Sequence, residues 1–169
     1  MFTTGLSSAV TGAALRVILQ VLRANGEGTK MLLYGLIGIS TLVIFLAMDT
    51  VWISMVALPN FRTAFGDDLL FRAVPGIVFY LLYLVGILFF VVKPALETGR
   101  WSTALGYGAL FGLVAYGTYD LTNYATLKPW SLGLTVSDMI WGAVVTGVSA
   151  ALGIIVGRYL LSVIQPGVT

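Results

Sequence analysis

Apolar residues do not alternate along this chain; they run in long blocks separated by brief polar interruptions. Four blocks are candidates to cross a bilayer, residues 31–58, 74–92, 101–127 and 132–161. At about 1.5 Å per residue each roughly matches or exceeds the ~30 Å of a hydrocarbon core, the longer ones with tilt or interfacial ends. Pro75 stands where a first helical turn tolerates it. The interruptions "PNFRTAFGDDLLFRA", "KPALETGR" and "KPWS" read as short loops. Within the first, "GDDLLFR" reads as a solvated loop with a short helix, Asp67 and Asp68 opposing Arg62 and Arg72. Lipid offers no partner to open backbone groups, so the pattern predicts an all-α, polytopic membrane protein. Its transmembrane domain of four helices occupies residues 31–165.

Residues 1–30 follow another pattern. Val10, Ala14, Val17 and Val21 share one helical face, while Arg16, Gln20 and Arg23 line another. The polar positions break the apolar run, so an amphipathic helix lying in the membrane interface is expected rather than a span. The absence of acids before Glu27, together with serine, threonine and two arginines, also fits a retained mitochondrial targeting segment.

Composition sharpens the class. Hydrophobic residues make up 59% of the chain and charged residues 9%, against roughly a quarter charged in soluble domains. Net charge is +2, too small to suggest nucleic acid as a partner. There is no Cys and no His, which removes disulfides, thiolate or imidazole metal ligation and Cys- or His-based catalysis. A metal would need oxygen ligands alone, and no metal site or cofactor is predicted; bound phospholipids are. Arg16, Arg23, Lys30, Lys93, Arg100 and Arg158 fall on one side of the expected topology, and Arg62, Arg72 and Lys128 on the other. The positive-inside rule then puts both termini on the cytoplasmic or matrix side.

Against this background the acids stand out. Asp49, Asp120 and Asp138 lie inside the first, third and fourth blocks. With antiparallel spans all three sit roughly 9–14 Å in from the same membrane face. An ionisable group there costs about 2.5–3.5 kcal/mol on insertion scales, and faces a bundle interior or a wet cavity. "DTVW" and "DMIW" place Trp52 and Trp141 three residues after Asp49 and Asp138, on the same helix face. Span three adds Tyr116, Tyr119 and Asn123, with Lys128 beyond them. The expectation is that these donors surround Asp120. Three uses of the cluster stay open: a polar latch fixing helix register, a cation or proton site in a transport route, and acid–base chemistry on a lipid-borne substrate.

Gly108 and Gly112 stand at GxxxG spacing in span three, and Ser149, Gly153 and Gly157 four apart in span four. Such stripes admit close backbone approach, either within the bundle or against another subunit. Trp101 and Trp130 stand near span ends, as interfacial belts do.

The stretches "MDTVWI", "AVPGIVFYLLYLVGILFFVVKPAL", "ALGYGALFGLVAYGTYDLTNYATLKPW" and "SDMIWGAVVTGV" cover most of residues 45–150. In them the chain resembles a family of small predicted membrane proteins, domain of unknown function 2177. The resemblance implies four spans and implies that Asp49, Asp120, Asn123, Lys128 and Asp138 belong to the family pattern; it supplies no activity. Bacterial members are expected to start near Met31, so residues 1–30 look like an addition. An added arginine-bearing leader favours a mitochondrial inner membrane, with a bacterial cytoplasmic membrane as the alternative. The functional expectation is a non-enzymatic accessory subunit of a larger inner-membrane assembly, such as a respiratory complex, in contact with lipids and other subunits. The alternative is a small ion-coupled transporter or lipid-modifying enzyme using Asp49, Asp120 and Asp138.

Overall fold

A computed structural model describes the backbone of residues 4–166, with side chains from Gly26 onward. Among the described residues every regular element is helical. Helix α1 runs from Thr4 to Trp52 without a break at Met31. The amphipathic pattern expected of residues 1–30 falls mostly on side chains outside the described residues. A π-helical turn, Ile53–Ala57, carries α1 into α2 (Leu58–Phe65). Helix α3 (Ala73–Ile87) likewise passes through a π-helical turn, Leu88–Val92, into α4 (Lys93–Thr98). Then come α5 (Trp101–Thr126) and α6 (Leu132–Ile164).

Two segments read as loops therefore prolong helices. In both, a proline lies in the first turn after a π-helical turn: Pro59 in α2 and Pro94 in α4. A proline lacks an N–H and its ring crowds the carbonyl four residues back. Those carbonyls belong to Met55 and Phe90, each inside the widened turn. Widening the turn makes room for the ring, so the helix continues where a loop was expected. Termination falls instead to glycines in positive φ, Gly66 at +55° after α2 and Gly99 at +70° after α4. Helix α6 starts at Ser131, whose hydroxyl accepts from the Leu134 amide at 3.1 Å.

Helix α6 is the central rod and packs along both α1 and α5. Half of its apolar window is buried, against 28% for the rod at 26–68 and 17% for the rod at 73–98. These three rods are long and apolar enough to cross a membrane. Four were expected. Helix α5 is 26 residues long, but glycines, threonines, tyrosines and Asp120 dilute its apolar character.

Two groups of contacts define the ends of the bundle. At one end Thr29 donates to Gln165 at 3.2 Å, and Arg158 donates to the Gly99 carbonyl at 3.0 Å. At the other, Trp130 packs on Phe61 and Phe65, with ring centroids 5.4 and 6.2 Å apart. Trp130 is buried there rather than exposed in an interfacial belt, because the α1–α2 rod extends past the expected end of the first span.

Glycines set the spacing of the central rods. A Cβ on Gly112 would collide with the Gly142 carbonyl, and one on Gly108 would stand 2.8 Å from the Gly147 Cα. Gly153 and Gly157 abut Thr41 and Ile37 of α1 in the same way. Both stripes thus serve contacts inside the bundle, the first of the two uses open to them.

Candidate intramembrane carboxylate site

Asp49, Asp120 and Asp138 are all withdrawn from the surface, at 5%, 0% and 7% exposure. Their partners differ. Asp49 accepts from three neutral donors: the Tyr80 hydroxyl at 2.7 Å, the Trp141 indole at 3.2 Å and, more weakly, the Tyr116 hydroxyl at 3.4 Å. Asp138 accepts from the Trp52 indole at 2.7 Å through Oδ1, and its Oδ2 accepts nothing among the described residues.

The two indoles are exchanged. Trp52 follows Asp49 on α1 yet donates to Asp138 on α6, while Trp141 follows Asp138 yet donates to Asp49. Antiparallel packing explains the exchange. Three residues on from Asp49 brings α1 to the level of Asp138, and three residues on from Asp138 brings α6 to the level of Asp49. The indoles stack between the helices, with centroids 4.8 Å apart and planes 5° apart. The indoles of the repeated D-x-x-W thus serve Asp49 and Asp138 from across the interface rather than surrounding Asp120.

Asp120 departs from expectation. Both of its carboxylate oxygens are buried without a hydrogen-bond partner among the described residues. Asn123 is half-buried and Lys128 is exposed, and neither donates to Asp120. Tyr119, half exposed, packs edge-on against Trp130 at 5.5 Å instead. Nowhere among the described residues do three acids come together as a metal-ligand set.

Asp49 and Asp138 line a half-enclosed cavity of about 330 Å³. Its remaining wall is largely aromatic: Trp52, Phe61, Phe79, Tyr80, Tyr116 and Tyr119. Ile53 and Ala57 of the first π-helical turn and Ala115 of α5 complete it, and no Lys or Arg lines it. Sequence reasoning had not singled out Tyr80 or Phe79. Tyr80 and Tyr83 stand three apart on α3, which brings both phenols to one face. Tyr83 meets Thr146 of α6 at 2.8 Å and stacks on Phe111, fastening α3 beside the cavity. That tyrosine pair was the available signal.

A family model described as "Predicted membrane protein (DUF2177)" matches residues 34–155, a stretch that contains all three acids and both indoles. No curated protein and no solved structure matches the chain.

Proposed function

The chain belongs to the DUF2177 family of predicted membrane proteins, and we propose that it is a small integral membrane carrier that binds a cation between α1, α3, α5 and α6. One observation carries this reading: two carboxylates from different helices stand on the wall of one cavity that no Lys or Arg lines. Buried charges are ordinarily paired. Here every partner is a neutral indole or phenol, so the site is balanced either by a proton on a carboxylate or by a bound cation, and the cavity beside the acids gives a cation room. A latch alone would account for the exchanged indoles, but it needs no cavity.

The same reading crosses the bilayer four times, α5 included, with both termini on the matrix or cytoplasmic side. The distribution of Lys and Arg supports the orientation. The composition of residues 1–30 supports a mitochondrial inner membrane.

The test uses the full chain in liposomes under an imposed membrane potential, with Na⁺, K⁺, protons and small ammonium ions offered in turn. Wild type is expected to move at least one of them, and Asp49→Asn and Asp138→Asn to cut that flux at least tenfold while helical content persists. Wild-type flux in both variants would remove the site from the mechanism.

A second reading, an accessory subunit of a larger inner-membrane assembly, draws on the α3–α4 rod, of which only 17% of the apolar window is buried. Lipid covers such a face, and so does a neighbouring subunit. A native gel in mild detergent distinguishes them: a defined assembly far above 18.1 kDa favours the subunit, and a monodisperse single chain favours the carrier.

A further inference from the structure

Building on the carrier reading, we infer that the cavity binds an organic ammonium ion, through Asp49 and Asp138 and the aromatic wall around them. Charge gives the sign. Two carboxylates face a space that no Lys or Arg lines. The wall gives the kind of cation. Hard metal ions demand six or more oxygen ligands at short distance, whereas six aromatic side chains make up most of this lining. Aromatic rings attract cations through their π-electron faces, and aromatic cages are a recurring way to hold methylated ammonium groups. An alkylated ammonium also gives up its water more easily than a metal ion, and its methyl or methylene groups match apolar walls.

Size and acceptor geometry agree. A cavity of about 330 Å³ lies at the small end of ligand pockets. Asp49 already accepts from three donors. Asp138 keeps one oxygen that accepts nothing among the described residues. Asp138 therefore supplies the acceptor for an N–H or the close contact for a methylated nitrogen, with Asp49 beside it as the second carboxylate on the wall. The stacked Trp52–Trp141 pair joins the two acids and gives an intrinsic optical reporter.

The ammonium group can belong to a free amine or to the headgroup of a choline or ethanolamine lipid, and the experiment separates these sources. The full chain is placed in phosphatidylglycerol nanodiscs, and tryptophan emission is titrated with tetramethylammonium chloride. NaCl, KCl and MgCl₂ at matched ionic strength, and acid, are titrated in parallel. A saturable response to tetramethylammonium is expected, weakened at least tenfold in Asp138→Asn and severalfold in Tyr119→Leu. The second variant alters a half-exposed wall residue and keeps the test open should the first fail to fold. Repeating the titration in phosphatidylcholine nanodiscs identifies the source. Loss of the response there means that the lipid headgroup already occupies the site, and an unchanged response means a free amine; either supports the ammonium site. A response to Na⁺ or acid that depends on Asp138, with none to tetramethylammonium in phosphatidylglycerol, overturns the ammonium inference and leaves the cation carrier standing. No Asp138-dependent response to any cation overturns both.

Discussion

Asp49 and Asp120 carry the same carboxyl group at similar burial, yet they face opposite circumstances. Asp49 receives three donors, and Asp120 receives none among the described residues. A buried polar group without a partner costs about 1–3 kcal/mol, whereas a hydrogen bond to a charged group contributes about 1.5–3 kcal/mol. The isosteric amide should therefore act differently at the two sites. Asp120→Asn is expected to leave unfolding stability in detergent unchanged or to raise it by about 1 kcal/mol. Asp49→Asn is expected to lower it by about 1.5–3 kcal/mol, because its new N–H₂ replaces one acceptor oxygen and so meets either the Tyr80 hydroxyl or the Tyr116 and Trp141 donors. Equal losses in the two variants would show that Asp120 has a partner in the membrane. The acids and the D-x-x-W spacing were legible because charge inside an apolar block has few explanations. Their pairing was not legible. Spacing along one helix says which face a side chain takes, and only the packing of two helices says which neighbour it meets.

Among the elements, small residues and prolines act through the space they leave. Helices α5 and α6 approach until Gly112 touches the Gly142 backbone. Gly106, earlier on α5, has nothing within 4 Å of where a Cβ would stand. Gly112→Ala must push the rods apart, an overpacking cost of about 1–3 kcal/mol. Gly106→Ala should be neutral or stabilise by up to about 1 kcal/mol, since alanine restricts the unfolded chain. Parallel unfolding of the two variants in detergent reads the difference, and a Gly112→Ala variant as stable as Gly106→Ala would mean that the contact at Gly112 does not limit the approach of α5 and α6. The stripe was visible in the sequence, but its partner was not, since a small residue fits another subunit as well as a neighbouring helix. The helix extensions past Pro59 and Pro94 were missed for a local reason. Proline is read as a stop, and a π-helical turn immediately before it removes the clash that makes it one.

For the whole molecule, the all-helical membrane architecture was readable from block length alone, and the number of crossings rests on α5. That helix joins the end of the bundle marked by Gly99 and Arg158 to the end marked by Trp130 and Phe61. At about 1.5 Å per residue its 26 residues extend about 39 Å, enough to cross. Gly108, Gly112 and Gly117 face α6, and Tyr116 and Tyr119 line the cavity, so much of its departure from an apolar composition belongs to packing within the protein. The chain has no cysteine, so single cysteines introduced at exposed positions report topology without background. Four crossings require Asp67→Cys and Lys128→Cys to react with a membrane-impermeant maleimide from one side of sealed vesicles, and Glu27→Cys and Glu97→Cys from the other. If α5 lay along the surface, Lys128→Cys would label together with Glu97→Cys, and Asp67→Cys would label from the opposite face. In that case the contact between Phe61 and Trp130 could not form across the bilayer, and the cavity would lose the wall that α5 supplies.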